Sequence, residues 1–183
     1  RAARPRDAAE SFQEAGFLID VLFNFDLIGA EASRIRQTEL MDRRALALFD
    51  AGENRRAADL FGEVAERHGE ASLSRVRALR NRAFALLRLA ETQAGGEASA
   101  TRRDARAAIE DALALLDEPG LEDDRTAART GGLLTFDFEL SAGAQPGSLL
   151  DIEPEAEERL LRAALIRVQL AEGQRAEAVD ALQ

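Results

Sequence analysis

The sequence predicts an all-α fold built from antiparallel helix-turn-helix repeats. Three observations predict it: apolar residues recur at helical spacing along most of the 183 residues, Ala is the commonest residue with 37 copies, and one nine-residue pattern recurs in a second, similar segment. With 46% hydrophobic residues, the chain can bury the core of one domain, so we assign 1–183 to a single helical-repeat domain. It starts without Met and stops inside an apolar-periodic segment, so we interpret it as a piece of a longer protein.

Capping residues and breaks divide the pattern into an N-terminal helix and three helical pairs. The N-terminal helix is predicted at about 7–28, where Asp7 and Glu10 give a capping-box-like start. The pairs are predicted at about 31–68, 71–118 and 154–183, and Gly52 and Gly173 end the first helix of the first and third pairs. The stretch 94–100, rich in Gly, Ala and Ser, is predicted to be a loop within the second pair.

The insertion 119–153 differs in kind from the helical pairs. From Leu133 to Leu140 apolar and polar residues alternate, which is the period of a half-buried strand. Two alternatives remain for this segment: a small β-hairpin in which it pairs with 149–152, or a disordered loop, because two strands alone are marginally stable in water.

An internal repeat is the most informative feature. The segment Met41–Phe49 matches Leu79–Leu87 position by position, 38 residues later. A helix follows each copy, and in it a small residue precedes an apolar one by four positions; these residues are Ala57 with Phe61 and Ala105 with Ile109.

This pattern resembles that of tetratricopeptide repeats, in which a helix-turn-helix of ~34 residues places a small residue in each helix where the two backbones approach closely. The resemblance implies that four alanines fill these positions: Ala45, Ala57, Ala83 and Ala105. The sequence departs from the family where Arg44 and Arg82 stand in place of Leu, and it lacks the Trp and Tyr signatures. The alternative fold is another kind of helical repeat or an Ala-rich helical bundle.

Composition excludes several kinds of chemistry. The chain has no Cys for disulfides or thiolate chemistry, no Lys for a phosphate-binding P-loop, and only His68 where a metal site would need a pair. Its net charge of −10 provides no overall basic footprint for nucleic acid. The densest apolar stretch, 16–30, is shorter than the ~20 residues that span a bilayer. We therefore expect no enzyme activity, cofactor, metal, nucleic-acid partner or membrane span.

Stacked repeats would present a concave face lined by the first helix of each pair. The region Arg75–Arg106, with eight Arg and three acidic residues, is locally basic, and a guanidinium suits a carboxylate while Phe provides an apolar anchor. The predicted peptide-binding residues on this face are Arg43, Leu46, Phe49, Arg77, Arg80, Asn81, Phe84, Leu87 and Arg88. The alternative is that these are ordinary surface arginines and core aromatics.

These observations predict a non-catalytic scaffold that binds a peptide or protein partner in the concave groove. The alternative is a helical sensor or docking segment of a larger multidomain regulator or enzyme, and a hydrolase built on acidic residues of the insertion is a weaker third. Phe17, Phe23 and Phe25 lie on more than one side of the N-terminal helix, so we also expect homo-oligomerisation through that helix or through the open last repeat. The compartment stays open between cytoplasm and periplasm.

Overall fold

A computed structural model describes residues 4–68, 72–118 and 154–173. These residues form six helices: α1 (Pro5–Asn24), α2 (Ala30–Asp50), α3 (Asn54–Arg67), α4 (Leu73–Thr92), α5 (Gly95–Leu116) and α6 (Pro154–Ala171). No strand occurs in the part of the chain that is described, and the prediction of an all-α fold is confirmed there. The predicted hairpin at 133–152 and the last helix after Gly173 lie outside the described residues.

The first two helices each end in a left-handed residue. At Gly52, with a φ of +79°, the amide of Glu53 reaches back to the carbonyl oxygen of Leu48 at 2.9 Å, as the sequence predicts for a glycine stop. Asp26 takes the same role after α1, with a φ of +54°. Asp tolerates this conformation better than most side chains, and the turn ends α1 at Asn24, four residues before the predicted end.

The predicted loop at 94–100 is wrong, because α5 already begins at Gly95. Gly95 has a φ of +57°, so the chain turns directly from α4 into the next helix. Ala98 and Thr101 are buried at helical spacing ahead of Ala105. Thr101 Oγ1 donates to the Gln93 side chain at 2.7 Å, which ties the first turns of α5 to the end of α4.

Helices that follow one another in the chain pack together, and α4 also contacts α6. The guanidinium of Arg34, near the start of α2, donates to the carbonyl oxygen of Arg67 at the end of α3 at 3.2 Å, so these two helices are antiparallel. The Arg6 side chain near the start of α1 is 2.9 Å from the carboxylate of Glu53, at the end of the α2–α3 hairpin where α3 begins.

Contacts between α2 and α4, and between α4 and α6, show the relative directions of these helices. Going along α2, the charges of Arg77 and Arg80 on α4 act on the Asp42 carboxyl, and Phe49 then lies beneath Arg88. Going along α4, Arg80 pairs with Glu157 of α6, and Glu91 then lies 3.5 Å from Arg167. Residue numbers ascend together in both sets of contacts, so α4 runs in the same general direction as α2, and α6 in the same general direction as α4.

The four alanines of the repeat are completely buried: Ala45, Ala57, Ala83 and Ala105 have 0% exposure. A methyl side chain at such positions lets neighbouring helix backbones approach closely, whereas a longer one would separate them. Larger side chains fill the space between helices, among them Leu48, Phe61, Leu79 and Ile109. One apolar cluster takes residues from α1 to α5, and a second takes residues from α3 to α6.

Candidate functional site

Five of the predicted binding residues lie on one face of α4. The last four follow the first by three, four, seven and eleven positions, which is the spacing of one helical face. These residues are Arg77, Arg80, Asn81, Phe84 and Arg88. Ser72 fixes the start of this helix, because its Oγ accepts a hydrogen bond from the amide of Arg75 at 3.2 Å.

Phe49 and Arg88 lie at the solvent-accessible end of this face, which we call its open end. The Arg88 guanidinium carbon lies 4.1 Å from the centroid of the Phe49 ring, within the range of a cation–π interaction. Arg88 is exposed and Phe49 is half-buried against the core. Burial raises the pKa of the neighbouring Asp50 carboxyl, and the charge of Arg88 opposes that rise. The sequence predicted both Phe49 and Arg88, and the structure brings them together from two helices.

Arg80 is held inside the molecule by an ion pair. Its Nη1 donates to both carboxylate oxygens of Glu157, with 2.5 Å to Oε2, and its Nε and Nη2 donate to Asn81 Oδ1 at 3.2 and 3.1 Å. The Glu157 side chain is 2% exposed and that of Arg80 is 17% exposed. The partners of this guanidinium therefore come from the chain itself, from α4 and α6.

Asp42 and Arg77 extend the same polar seam between α2 and α4. Burial raises the pKa of the Asp42 carboxyl, and four nearby cations oppose the rise: Arg77 most, then His68, Arg80 and Arg43. Burial likewise lowers the pKa of Arg77, and the charge of Asp42 opposes that fall. The Nε atom of Arg77 is buried without a hydrogen-bond partner. This seam places charged groups where the first helices meet.

The predicted aliphatic residues, together with Phe84 of the α4 face, pack against the hydrophobic core. Phe84 packs against one apolar cluster, Leu46 packs against the other, and Leu87 contacts both. All three are half-buried, so each keeps part of its surface accessible. Arg43 is half-buried as well, and its charge acts on the Asp42 carboxyl.

Glu157 and Asp42 are the residues that the sequence analysis missed. Glu157 begins an apolar stripe on α6 whose spacing of four, three and four repeats that of a stripe on α4; the two stripes are Glu157, Leu161, Ala164, Val168 and Leu79, Ala83, Leu86, Ala90. Glu157 thus stands at the position of Leu79. A carboxylate in an otherwise apolar stripe is the signal that could have identified it, because an acid at such a position needs a partner.

No protein-family model, no curated protein and no solved structure matches this chain. Within the described ranges, none of the helices has both the length and the apolar character required to cross a membrane. In the same ranges, His, Asp and Glu side chains form no group of three or more that could hold a metal ion.

Proposed function

We propose that this chain is a non-catalytic scaffold that binds a peptide or protein partner on the face formed by α2, α4 and α6. The observation that carries the proposal is the Phe49–Arg88 pair, in which an exposed guanidinium covers a half-buried aromatic ring at the junction of two parallel helices. Aromatic and Arg side chains are the commonest energetic centres of protein interfaces.

A tetratricopeptide-like arrangement of the helical pairs is part of this proposal. It is supported by the shared direction of α2, α4 and α6, by the antiparallel α2–α3 pair, and by the complete burial of the four alanines. In such an array the first helices line a common surface, and this surface recognises other polypeptides.

The chemistry of the open end favours a ligand that combines an apolar side chain with a carboxylate. The ring of Phe49 provides apolar surface, and Arg88 provides donors in a planar fork. Arg80 already binds Glu157 and Asn81, so the main anchor is placed at Arg88. In this proposal Arg43, Leu46, Arg77, Phe84 and Leu87 shape the floor and flank of the face.

Selection of binders from a displayed peptide library tests this function. We expect peptides with an acidic residue beside an apolar one, and roughly ten-fold or greater loss of affinity when Arg88→Glu removes the guanidinium. Arg103→Glu is the matched control, because Arg103 is exposed on α5 and the charge change is identical. Equal losses in the two variants would show that net charge alone attracts the peptides, and the groove proposal would then fail.

A further inference from the structure

The outer side of α1 carries a second apolar surface. Phe17, Leu18 and Val21 are exposed on the side of α1 opposite the buried Ala9 and Ile19. Phe25 continues the same stripe just after the helix and is the most exposed of the large apolar side chains in the described ranges. We call Phe17, Leu18, Val21 and Phe25 the α1 face. Large apolar side chains grouped in this way on a surface mark an interaction site.

The charge along the α1 face is acidic after Arg6, which pairs with Glu53. Residues 7–29 contain five carboxylates and no basic residue. Glu14 precedes Leu18 by four positions and Glu10 precedes Phe17 by seven, so both acids share the side of the helix that the apolar residues occupy. Within the described residues, no salt bridge involves Glu10, Glu14 or Asp26, so these carboxylates are available to a partner.

We propose that the α1 face docks a basic amphipathic helix of another protein. The apolar stripe of such a helix would cover Phe17, Leu18 and Val21, and Lys or Arg side chains flanking that stripe would reach Glu10 and Glu14. This surface shares no residue with the α2–α4–α6 face, and the proposal therefore goes beyond the function proposed above and does not depend on it.

Charge distinguishes this occupant from two others. In a symmetric dimer the same patch meets itself, and the carboxylates of the two copies would face each other across the interface. The anionic surface of a membrane attracts basic segments and repels an acidic one. A basic helix is the occupant that satisfies both the apolar residues and the acids.

The test uses two synthetic peptides of about four helical turns that share the same Leu stripe. All remaining positions are Lys in one peptide and Glu in the other. We expect the Lys peptide to bind, the Glu peptide not to bind, and Phe17→Gln with Val21→Gln to weaken binding of the Lys peptide roughly ten-fold or more. Glu10→Gln with Glu14→Gln should weaken it mainly at low salt, because exposed charges are screened at high salt.

Leu160→Gln with Leu170→Gln on α6 is the matched control, because these side chains are 48% and 53% exposed against 59% and 48% for Phe17 and Val21. All four positions are on the surface, so circular dichroism should show unchanged helicity. Equal weakening by the α1 and α6 variants would indicate non-specific apolar binding, and no weakening by either would indicate attraction to net charge alone; either result would overturn the proposal. It would also be overturned by a dimer that Phe17→Gln with Val21→Gln dissociates, or by binding to phosphatidylcholine vesicles in place of the Lys peptide.

Discussion

At the scale of single residues, burial raises the pKa of the Asp42 carboxyl by more than the neighbouring charges lower it. The charges of four basic residues lower the pKa of its carboxyl, yet the pKa is raised overall, because removal from water disfavours the charged form. The folded state therefore binds the Asp42 proton more tightly than the unfolded state does. The stability that follows from this difference is present below the unfolded pKa, near 3.8, and is lost as the pH rises through the folded pKa.

Asp42→Asn should consequently stabilise the protein at neutral pH, because Asn resembles the protonated acid and removes the cost of a buried charge. Urea unfolding at a series of pH values measures this: the variant should be more stable than the natural protein at pH 7, with the advantage vanishing below about pH 3.8. The exposed Asp59→Asn is the control and should show no such trend. A less stable Asp42→Asn at pH 7 would mean that the attraction to Arg77 outweighs burial.

The sequence predicted buried small residues better than buried charges. The resemblance to tetratricopeptide repeats implied that Ala45 and Ala83 are the small residues of the first helices, and both are completely buried. The apolar stripe of α6 could have marked Glu157 as a buried acid, but it could not identify the partner, because Arg80 lies 77 positions away and only the packing of α6 on α4 brings the two together. For the same reason, the sequence predicted that Arg80 lies on the face, but it could not predict that Arg80 forms an ion pair with Glu157.

At the scale of helices, the predictions were most accurate where a capping residue marks the end. Gly52 has the left-handed conformation expected of a helix stop, and the first helical pair, from the start of α2 to the end of α3, agrees within one residue at each end with the predicted range 31–68. The start of α5 was missed because Gly and Ser are weak helix formers whose propensity is overridden by burial of Ala98 and Thr101. At such a junction, tertiary packing decides which residues join the helix.

Substitutions in the ion pair between Arg80 of α4 and Glu157 of α6 test whether this pair stabilises the packing of the two helices. Removing one partner leaves a charge with little access to water, so Glu157→Leu should lower the free energy of unfolding by about 2–4 kcal/mol, somewhat less than for a fully buried pair because Arg80 retains some exposure. Adding Arg80→Met should restore most of this loss, since two apolar side chains can replace a buried pair at little cost.

Denaturant unfolding of the four chains of this double-mutant cycle gives the coupling energy. Arg162 and Glu158 provide the control pair, because they lie exposed on α6 one turn apart and should couple by only about 0.3–0.5 kcal/mol. If the double variant at Arg80 and Glu157 proved no more stable than Glu157→Leu alone, the ion pair would not be what matches α6 to α4.

At the scale of the whole molecule, most contacts join helices that are close together in the sequence. In the described part of the chain, the main contacts of α6 are with α5 and α4, whereas α1 packs mainly on α2. A sequence repeat predicts that neighbouring pairs resemble each other, but the packing of α6 on α4 follows only from long-range contacts such as Arg80 with Glu157. An array with nearest-neighbour contacts should lose its end helix without losing the rest, whereas a bundle around one core should not.

Hydrogen exchange of Glu157→Lys distinguishes these two architectures. Lysine would face Arg80 across the α4–α6 contact, and this like-charge contact should undock α6. We expect amide exchange in 154–171 to accelerate about ten-fold or more, while α2 and α3 keep their protection, because neither helix depends on α6 for its main packing. Glu158→Lys makes the same change one residue away, where the side chain is partly exposed, and should leave α6 docked. A uniform loss of protection from α2 to α6 in Glu157→Lys would instead indicate one cooperative core and would remove the physical basis for an open face along the first helices.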